Sequence, residues 1–427
     1  MNYLDYPRVG ERMYHEVLEN GLHVYCFPKP EFQKSYAFFA ANYGGMDVRF
    51  CLDGTWHDTP AGVAHYLEHK MFDTPEGNAL QKLTANGASP NAFTSNAITG
   101  YYFDCTEKFE ENLKTLLSFV SVPYFTQESV EKEQGIIGQE IGMIEDDPDW
   151  KVLTNLLGAL YVHHPIRVSI AGTVESIARI TPETLYACHR AFYHPANMVL
   201  CMAGNQEPGR VCEIAREVLP RESSPVAQRD HGLQEPEGVR QSLVVEQMAV
   251  SGPIFQLGYK GDAPEQGEAG LRQRLLGELA CEVLLGNSTP LYARLYQRGL
   301  INRNFSYGYN SAPGCAFLTA GGESKDPETV CRMVQAEAAR IGREGVDAGL
   351  WSRVKKGVYG GMVRSLNSFE NLCISQAQVH FAGGDFLSFA ELFAEIQKED
   401  VERLIVRWTA PERRALSVIR PKGEGNV

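Results

Sequence analysis

The chain writes one order of elements twice, and this repetition limits its fold more than any other feature. In the first half, Asn20-Gly21 marks a hairpin turn between strand-like residues 14–18 and 23–28, and residues 35–43 give a third strand. A short helix over 61–72 and a strand over 89–102 follow. In the second half, residues 242–260 resume strand character, and residues 269–285 read as a long apolar-periodic helix. A strand-like FSYGYNSAPGCAFLTAG comes next. Between the halves lies PRESSPVAQRDHGLQEPEG, residues 220–238, which is rich in Pro, Ser, Gly and charge and reads as a linker. The expected fold is therefore α+β, with one unit duplicated into domains 1–219 and 239–427, each a mixed sheet with helices packed on one face. A chain of 427 residues that is 44% hydrophobic is long enough for two such cores.

The halves echo each other in pattern but not in chemistry. Residues 61–72 read AGVAHYLEHKMF, with Thr59 placed to cap the helix and Pro60 at its first position. His65 and His69 lie four apart and project from one face; Glu68 stands beside them. Val63, Leu67 and Met71 fall on the opposite face, to be buried. Two imidazoles so spaced can hold two corners of a tetrahedral zinc site, and a neighbouring carboxylate can take a proton from an attacking water. This H-x-x-E-H pattern names metal-assisted peptide hydrolysis. An ordinary amphipathic helix could carry the same residues, so a third ligand has to be found. The corresponding helix of the second half, residues 270–285, has no histidine.

The next candidate is TQESVEKEQGIIGQEIGMIED, residues 126–146, capped by Thr126 and striped with Val130, Ile137, Ile141 and Ile144. Glu133 and Glu140 are seven residues apart, two helical turns, and share a face. One could reach a metal while the other serves its surroundings. An acidic residue on such a helix is ordinarily just solvated. Gly135 and Gly138 argue otherwise: they cost helix propensity and predict the close approach of another element.

His65, Glu68, His69 and Glu140 together resemble the pitrilysin/insulysin family, the inverzincin zinc metallopeptidases, and EKEQGIIGQEIGM is similar to that family's second ligand helix. GASPNAFTSNAITGYYFDC (87–105), YVHHPIRVSIAGTVESIARIT and FYHPANMVLCMAGN are similar as well, so the likeness covers most of residues 20–205 and is weaker beyond. The resemblance implies that His65, His69 and Glu140 bind one Zn²⁺ per chain. It makes Glu68 the catalytic base and Glu133 the auxiliary carboxylate of catalysis. Asn91, Ala92 and Phe93 would form a sheet edge beside the zinc, to which an extended substrate adds as a strand. Arg167 and Tyr193 could also contact substrate. The two α/β-roll domains would form half of a clam-shell.

Members of the family also present an Arg and a Tyr around a second-half turn of the form L-R-E-x-G-L-x-Y. Here residues 291–309 read LYARLYQRGLINRNFSYGY, which puts Tyr296 at the Arg position and Asn302 at the Tyr position. Arg294, Arg298 and Tyr307 are near but out of register. Some members work in pairs, so the resemblance implies a zinc-dependent endopeptidase subunit, weakly active alone, hydrolysing unfolded peptides or small precursors. A homologous zinc-less partner would supply the Arg/Tyr pair, with a homodimer as the other arrangement. The alternatives are a maturation peptidase dedicated to one precursor and a non-catalytic scaffold subunit of the same fold.

Composition bounds the rest. A net charge of −13 argues against nucleic-acid binding. No apolar run reaches membrane-spanning length and the N-terminus lacks a signal-peptide pattern, so a cytoplasmic protein without membrane contact is expected. The ten cysteines are scattered, with no C-x-x-C, which suits a reducing compartment.

Overall fold

The computed structural model describes residues 3–222 and 225–423; Ser223 and Ser224 of the expected linker, and the outermost ends of the two expected domains, lie outside the described residues. The chain forms two compact units. The first comprises Met1–Ile141, Val168–His231 and Val363–Ser388, and the second Gly142–Arg167, Gly232–Met362 and Phe389–Val427.

In the first unit, strands β1 (Tyr3–Tyr6), β2 (Glu11–Val17), β3 (His23–Pro28), β4 (Ser35–Ala41), β5 (Ser89–Thr94), β6 (Thr99–Cys105) and β7 (Met198–Gly204) form one sheet of order β1-β2-β3-β7-β4-β6-β5. The β2–β3 hairpin turns at Asn20-Gly21, as expected, with Gly21 at φ 86°. β7 runs parallel to β3 and antiparallel to β4, while β6 is antiparallel to both β4 and β5. In the second unit, β8 (Leu243–Met248), β9 (Ile254–Lys260), β10 (Ser306–Ala312), β11 (Cys315–Glu323) and β12 (Arg414–Pro421) take the order β8-β12-β9-β11-β10. Here β12 is parallel to β8, and every other pair is antiparallel. The series β3-β7-β4-β6-β5 and β8-β12-β9-β11-β10 agree in order and in sense. The repeated pattern of the sequence is thus a duplicated α+β fold.

β4 and β7 are buried along their whole length, which requires cover on both faces of the sheet. Helices Phe109–Ser121 and Pro208–Val218 pack on the strands of the first unit, and helix Phe369–Phe381, from the second half of the chain, packs on β7 and β4. Helix Pro148–Leu160 makes the reciprocal assignment: it belongs to the second unit and packs on β12 and β9. The stretch read as a linker is anchored. Gln228–Arg229 pairs with strand Arg49–Leu52, and both Arg229 Nε and His231 Nε2 reach the buried Asp47, at 3.1 and 3.0 Å. In the second unit, burial would raise the pKa of Glu235, but Lys260 and the N–H groups of Val162, His163 and His164 bring it down to about 2. No helix among the described residues is long and apolar enough to cross a membrane.

The helix that carries the histidines, α1, spans Val63–Lys70. Thr59 does not cap it. Its hydroxyl and N–H both donate to the Val48 carbonyl, at 2.9 and 2.8 Å, and Gly62 is the N-cap. Gly62 has φ +93°, and a Cβ there would stand 2.6 Å from the Ala171 carbonyl oxygen. Opposite, Gly172 has φ +73°, with a Cβ position 2.4 Å from the Ala61 oxygen, to which Ser176 Oγ also donates at 2.7 Å. The helix start and this loop meet backbone to backbone, so a side chain at either glycine is excluded twice, by conformation and by space. Gly62→Ala should lower stability by roughly 1–3 kcal/mol in equilibrium urea unfolding. A loss of under about 0.5 kcal/mol, the size of an ordinary surface change, would show that the contact yields easily.

Candidate metal centre

The site is assembled from α1 and from α2 (Gln127–Asp146). Thr126 caps α2 as expected, its Oγ1 accepting the Ser129 N–H at 3.2 Å while Ser129 Oγ accepts the Thr126 N–H at 3.3 Å. Val130, Ile137 and Ile141 bury the apolar stripe, and the buried Tyr66 of α1 donates its hydroxyl to the Val130 carbonyl, tying the two helices together. The expected reason for Gly135 and Gly138 does not hold. A Cβ at either would meet nothing within 4 Å, so no element among the described residues approaches them, and packing within the described residues does not explain their presence.

His65, His69 and Glu140 converge, with one ligand atom from each lying within 4.8 Å of the others. His65 Nε2 is 3.5 Å from Glu140 Oε1, and His69 Nε2 is 3.7 Å from Glu140 Oε2. Bonds of about 2.0–2.1 Å to a tetrahedral zinc place neighbouring ligand atoms about 3.3–3.4 Å apart, so these spacings fit the ion with only small adjustment. Two imidazoles and a carboxylate are also the donor set of a catalytic zinc with one position left open.

Glu133, two turns before Glu140, accepts a hydrogen bond from His69 Nδ1 at 3.1 Å. A carboxylate can only accept, so Nδ1 carries the proton and the Nε2 lone pair is left facing the site. The other oxygen of Glu133 lies 3.7 Å from Nζ of Lys70, a buried lysine that also pairs with Asp73. The His65 ring has no such support; its Nδ1 is buried without a hydrogen-bond partner among the described residues. Glu133→Gln keeps the shape but weakens the acceptor and leaves Lys70 paired with Asp73 alone. Zinc affinity should fall about 10–100-fold, as when comparable supporting carboxylates are removed; competition titration with a fluorescent chelator reads it, and unchanged affinity would mean the His69 ring is held by packing alone.

Glu68 is 8% exposed and accepts a hydrogen bond from Thr94 Oγ1 at 3.3 Å. Burial pushes its pKa up, against the nearby imidazoles and the Thr94 hydroxyl, which pull it down. The pKa of Glu140 is lowered by its hydrogen bond to His65 and that of Glu133 by its hydrogen bond to His69, in each case against burial. Burial would lower the His69 pKa, but the Glu133 hydrogen bond and the surrounding carboxylates outweigh it and the net direction is up. The directions thus divide, with burial raising the pKa of Glu68 and the imidazoles lowering those of Glu133 and Glu140, a division that suits a proton carrier beside a cation site.

Asn91, Ala92 and Phe93 lie on β5, the outermost strand of its sheet, which among the described residues pairs only to β6. Thr94 ends that strand, so the same element offers a free edge and touches Glu68. Phe93 stacks on Phe38 at 5.9 Å, and the Ala92 N–H is engaged by Asn91 Oδ1 at 2.9 Å. Tyr193 does not face a substrate: it is 5% exposed, its hydroxyl 2.9 Å from that of Tyr101. Thr94 and Lys70 were not singled out by the sequence. Their contacts depend on how β5 and α2 fold back on α1, for which no local pattern exists.

Two family descriptions match the chain. Residues 52–174 match Insulinase (Peptidase family M16), and residues 179–358 match Peptidase M16 inactive domain. The uncharacterized zinc protease YmfH of Bacillus subtilis (strain 168) is 36% identical over 98% of this chain and 99% of its own length. The crystal structure of an M16-like peptidase from Alicyclobacillus acidocaldarius superposes with a TM-score of 0.92 at 31% identity, covering 96% of this chain and 99% of that one. A protease from Helicobacter pylori shares the fold at 17% identity, with a TM-score of 0.83 over 96% of this chain and 100% of that one.

Proposed function

The chain belongs to the insulinase (M16) family of peptidases, and from that premise we propose that it is the zinc-bearing subunit of a metalloendopeptidase. The observation that carries this reading is the convergence of His65, His69 and Glu140 from two helices, with Glu68 beside them. His65, His69 and Glu140 would hold one zinc ion per chain, which when bound would supply Lewis-acid charge to a water and to a peptide carbonyl. Glu68 accepts the proton that the water sheds and passes it to the departing amine nitrogen. Burial raises its pKa, which makes the carboxylate a stronger base toward the water. Glu133 keeps the Nδ1 proton on His69 and the ring in orientation.

The substrate main chain adds to the outer edge of β5 along Asn91, Ala92 and Phe93, displacing the Asn91 side chain from the Ala92 N–H. Main-chain pairing gives affinity with little sequence preference, which suits unfolded peptides or small precursors. Domain 1–219 carries this chemistry in a cytoplasmic protein, and domain 239–427 is its homologue without the zinc motif. In the second half, Asn302 is bonded to Glu323 and Tyr296 is exposed, while the nearby Arg294 and Tyr307 are engaged by Glu337 and Glu282. These engagements support a partner chain as the source of the missing carbonyl-binding pair, donors of a kind worth about 3–4 kcal/mol to the transition state. Co-purification from the native source followed by cleavage of a mixed peptide library tests the proposal. A homologous chain without H-x-x-E-H should come down in equal amount and raise a weak activity strongly. Cleavage of a single peptide would make the enzyme a dedicated maturation peptidase, and no cleavage by the zinc-loaded complex would overturn the reading.

A further inference from the structure

Two glycines that lie in helices of the second unit have a packing reason. A Cβ at Gly277 would stand 2.5 Å from the Tyr309 ring, and one at Gly342 would stand 2.9 Å from Val406 Cγ2. α2 and the helix α3 (Ala348–Ser365) are different. A Cβ at Gly138 or Gly142 of α2, or at Gly357, Gly360 or Gly361 of α3, would meet nothing within 4 Å among the described residues. Each of these glycines weakens its helix relative to alanine and leaves the backbone freer to bend. Both helices are also thinly buried. α2 buries Val130, Ile137 and Ile141 among its 20 residues, and α3 buries Leu350 and Val354 among its 18. Helix Pro327–Glu344, also of 18 residues, buries a stripe that runs from Val330 to Ile341.

These glycines stand where the chain changes units. It leaves the first unit for the second between Ile141 and Gly142, inside α2, and returns between Met362 and Val363, inside α3. Gly138 and Gly142 are four residues apart, as are Gly357 and Gly361, about one helical turn in each case. The two helices also hold corresponding places in the duplicated fold. α2 stands between helices Phe109–Ser121 and Pro148–Leu160, and α3 between Pro327–Glu344 and Phe369–Phe381. In each case the helix that follows is the one that packs on strands from the other half of the chain. We infer that the two glycine pairs are hinges, the points at which α2 and α3 bend so that the two units move as bodies. Gly138 and Gly142 bracket Glu140, so bending of α2 moves this carboxylate relative to the imidazoles of α1 and couples the motion to the metal centre. The consequence for turnover rests on the peptidase reading; the motion does not.

The pair on α3 carries none of the metal-centre residues, so the double variant Gly357→Ala/Gly361→Ala tests the hinge without touching the site. Alanine meets no neighbour there and should raise the melting temperature of the full zinc-loaded chain by about 2–8 °C. In the wild type, amide exchange followed by mass spectrometry should be faster at the centres of α2 and α3 than at the centre of Pro327–Glu344. The substitutions should slow it in α3 by about 10–30-fold. Single-molecule energy transfer between one dye on each unit should show a broad spread of distances in the wild type and a narrower one in the variant. In the zinc-loaded complex kcat should fall several-fold and KM should change with it, as expected when a hinge is stiffened. Wild-type exchange in α2 and α3 as slow as in Pro327–Glu344 would overturn the hinge. So would a variant with a higher melting temperature but an unchanged spread of distances and unchanged kinetics. A variant that no longer forms the complex would assign the open glycines to a docking face instead. Exchange and distance are read whether or not peptides are cleaved, so a complex without cleavage would remove the peptidase reading and leave these two measurements to decide the hinge.

Discussion

Glu68→Gln should abolish peptide cleavage while zinc remains bound at one per chain. Glutamine matches the shape of glutamate and can still accept the Thr94 hydrogen bond, but it can neither take a proton from water nor return one to the leaving nitrogen. Loss of positioned acid–base catalysis costs about 10²–10⁴-fold in rate, so kcat should fall by that factor or more, with KM little changed. The same substitution should leave thermal stability equal or higher. Glu68 is buried, and burial opposes its charged form, so a neutral amide removes an unfavourable charge from the fold. Catalytic groups commonly show this opposition between stability and activity. A variant that cleaves at the wild-type rate would reject Glu68 as the base. A variant that loses activity together with its zinc would show that the carboxylate serves the metal site instead.

The parts of this site that could be read from the sequence are those governed by helical periodicity. His65, Glu68 and His69 share one helix, and Glu133 and Glu140 share another, so spacing alone grouped them correctly before any contact was known. The Thr126 cap belongs to the same class, since a hydroxyl three residues before the N–H it accepts is a local arrangement. The duplicated strand order was legible for a related reason: alternation and turns repeat at the level of single elements.

Where the reading missed, the cause was tertiary. Thr59 has the composition of a cap, but the Val48 carbonyl competes for its hydroxyl, and the helix begins instead at a glycine pressed against Ala171. Gly135 and Gly138 suggested a neighbour because glycine inside a helix usually has a packing reason, yet their surroundings are open. Helices Pro148–Leu160 and Phe369–Phe381 look like ordinary members of their own halves, and nothing in their residues says that each packs on strands from the other half of the chain. A contact between distant elements leaves no spacing to detect. The Thr94–Glu68 hydrogen bond is invisible for the same reason, and it is through such contacts that a shared motif is tuned within one chain.

Removal of the metal should separate the ligands from their supporting residues more sharply than any kinetic measurement. Chelation should abolish cleavage and lower the melting temperature of the protein, and zinc should restore both. An ion that binds only the folded state, at a free concentration a thousand times its Kd, adds about 4 kcal/mol to stability. For a folding unit of this size each kcal/mol moves the midpoint by roughly 2–4 °C, so a shift of about 10 °C is expected. His65→Ala, His69→Ala and Glu140→Gln each delete one of the three ligands, and each should remove both the zinc and the zinc-dependent shift. Glu68→Gln should keep both, and Glu133→Gln should show a reduced shift, because it weakens binding without removing a ligand. The order of these shifts tests the geometry directly, since it follows from which side-chain atoms face the common point and which only hold them there. If Glu140→Gln retained the full shift while either histidine variant lost it, the carboxylate on α2 would be excluded as a ligand, and the site would have to be completed by a residue outside these two helices.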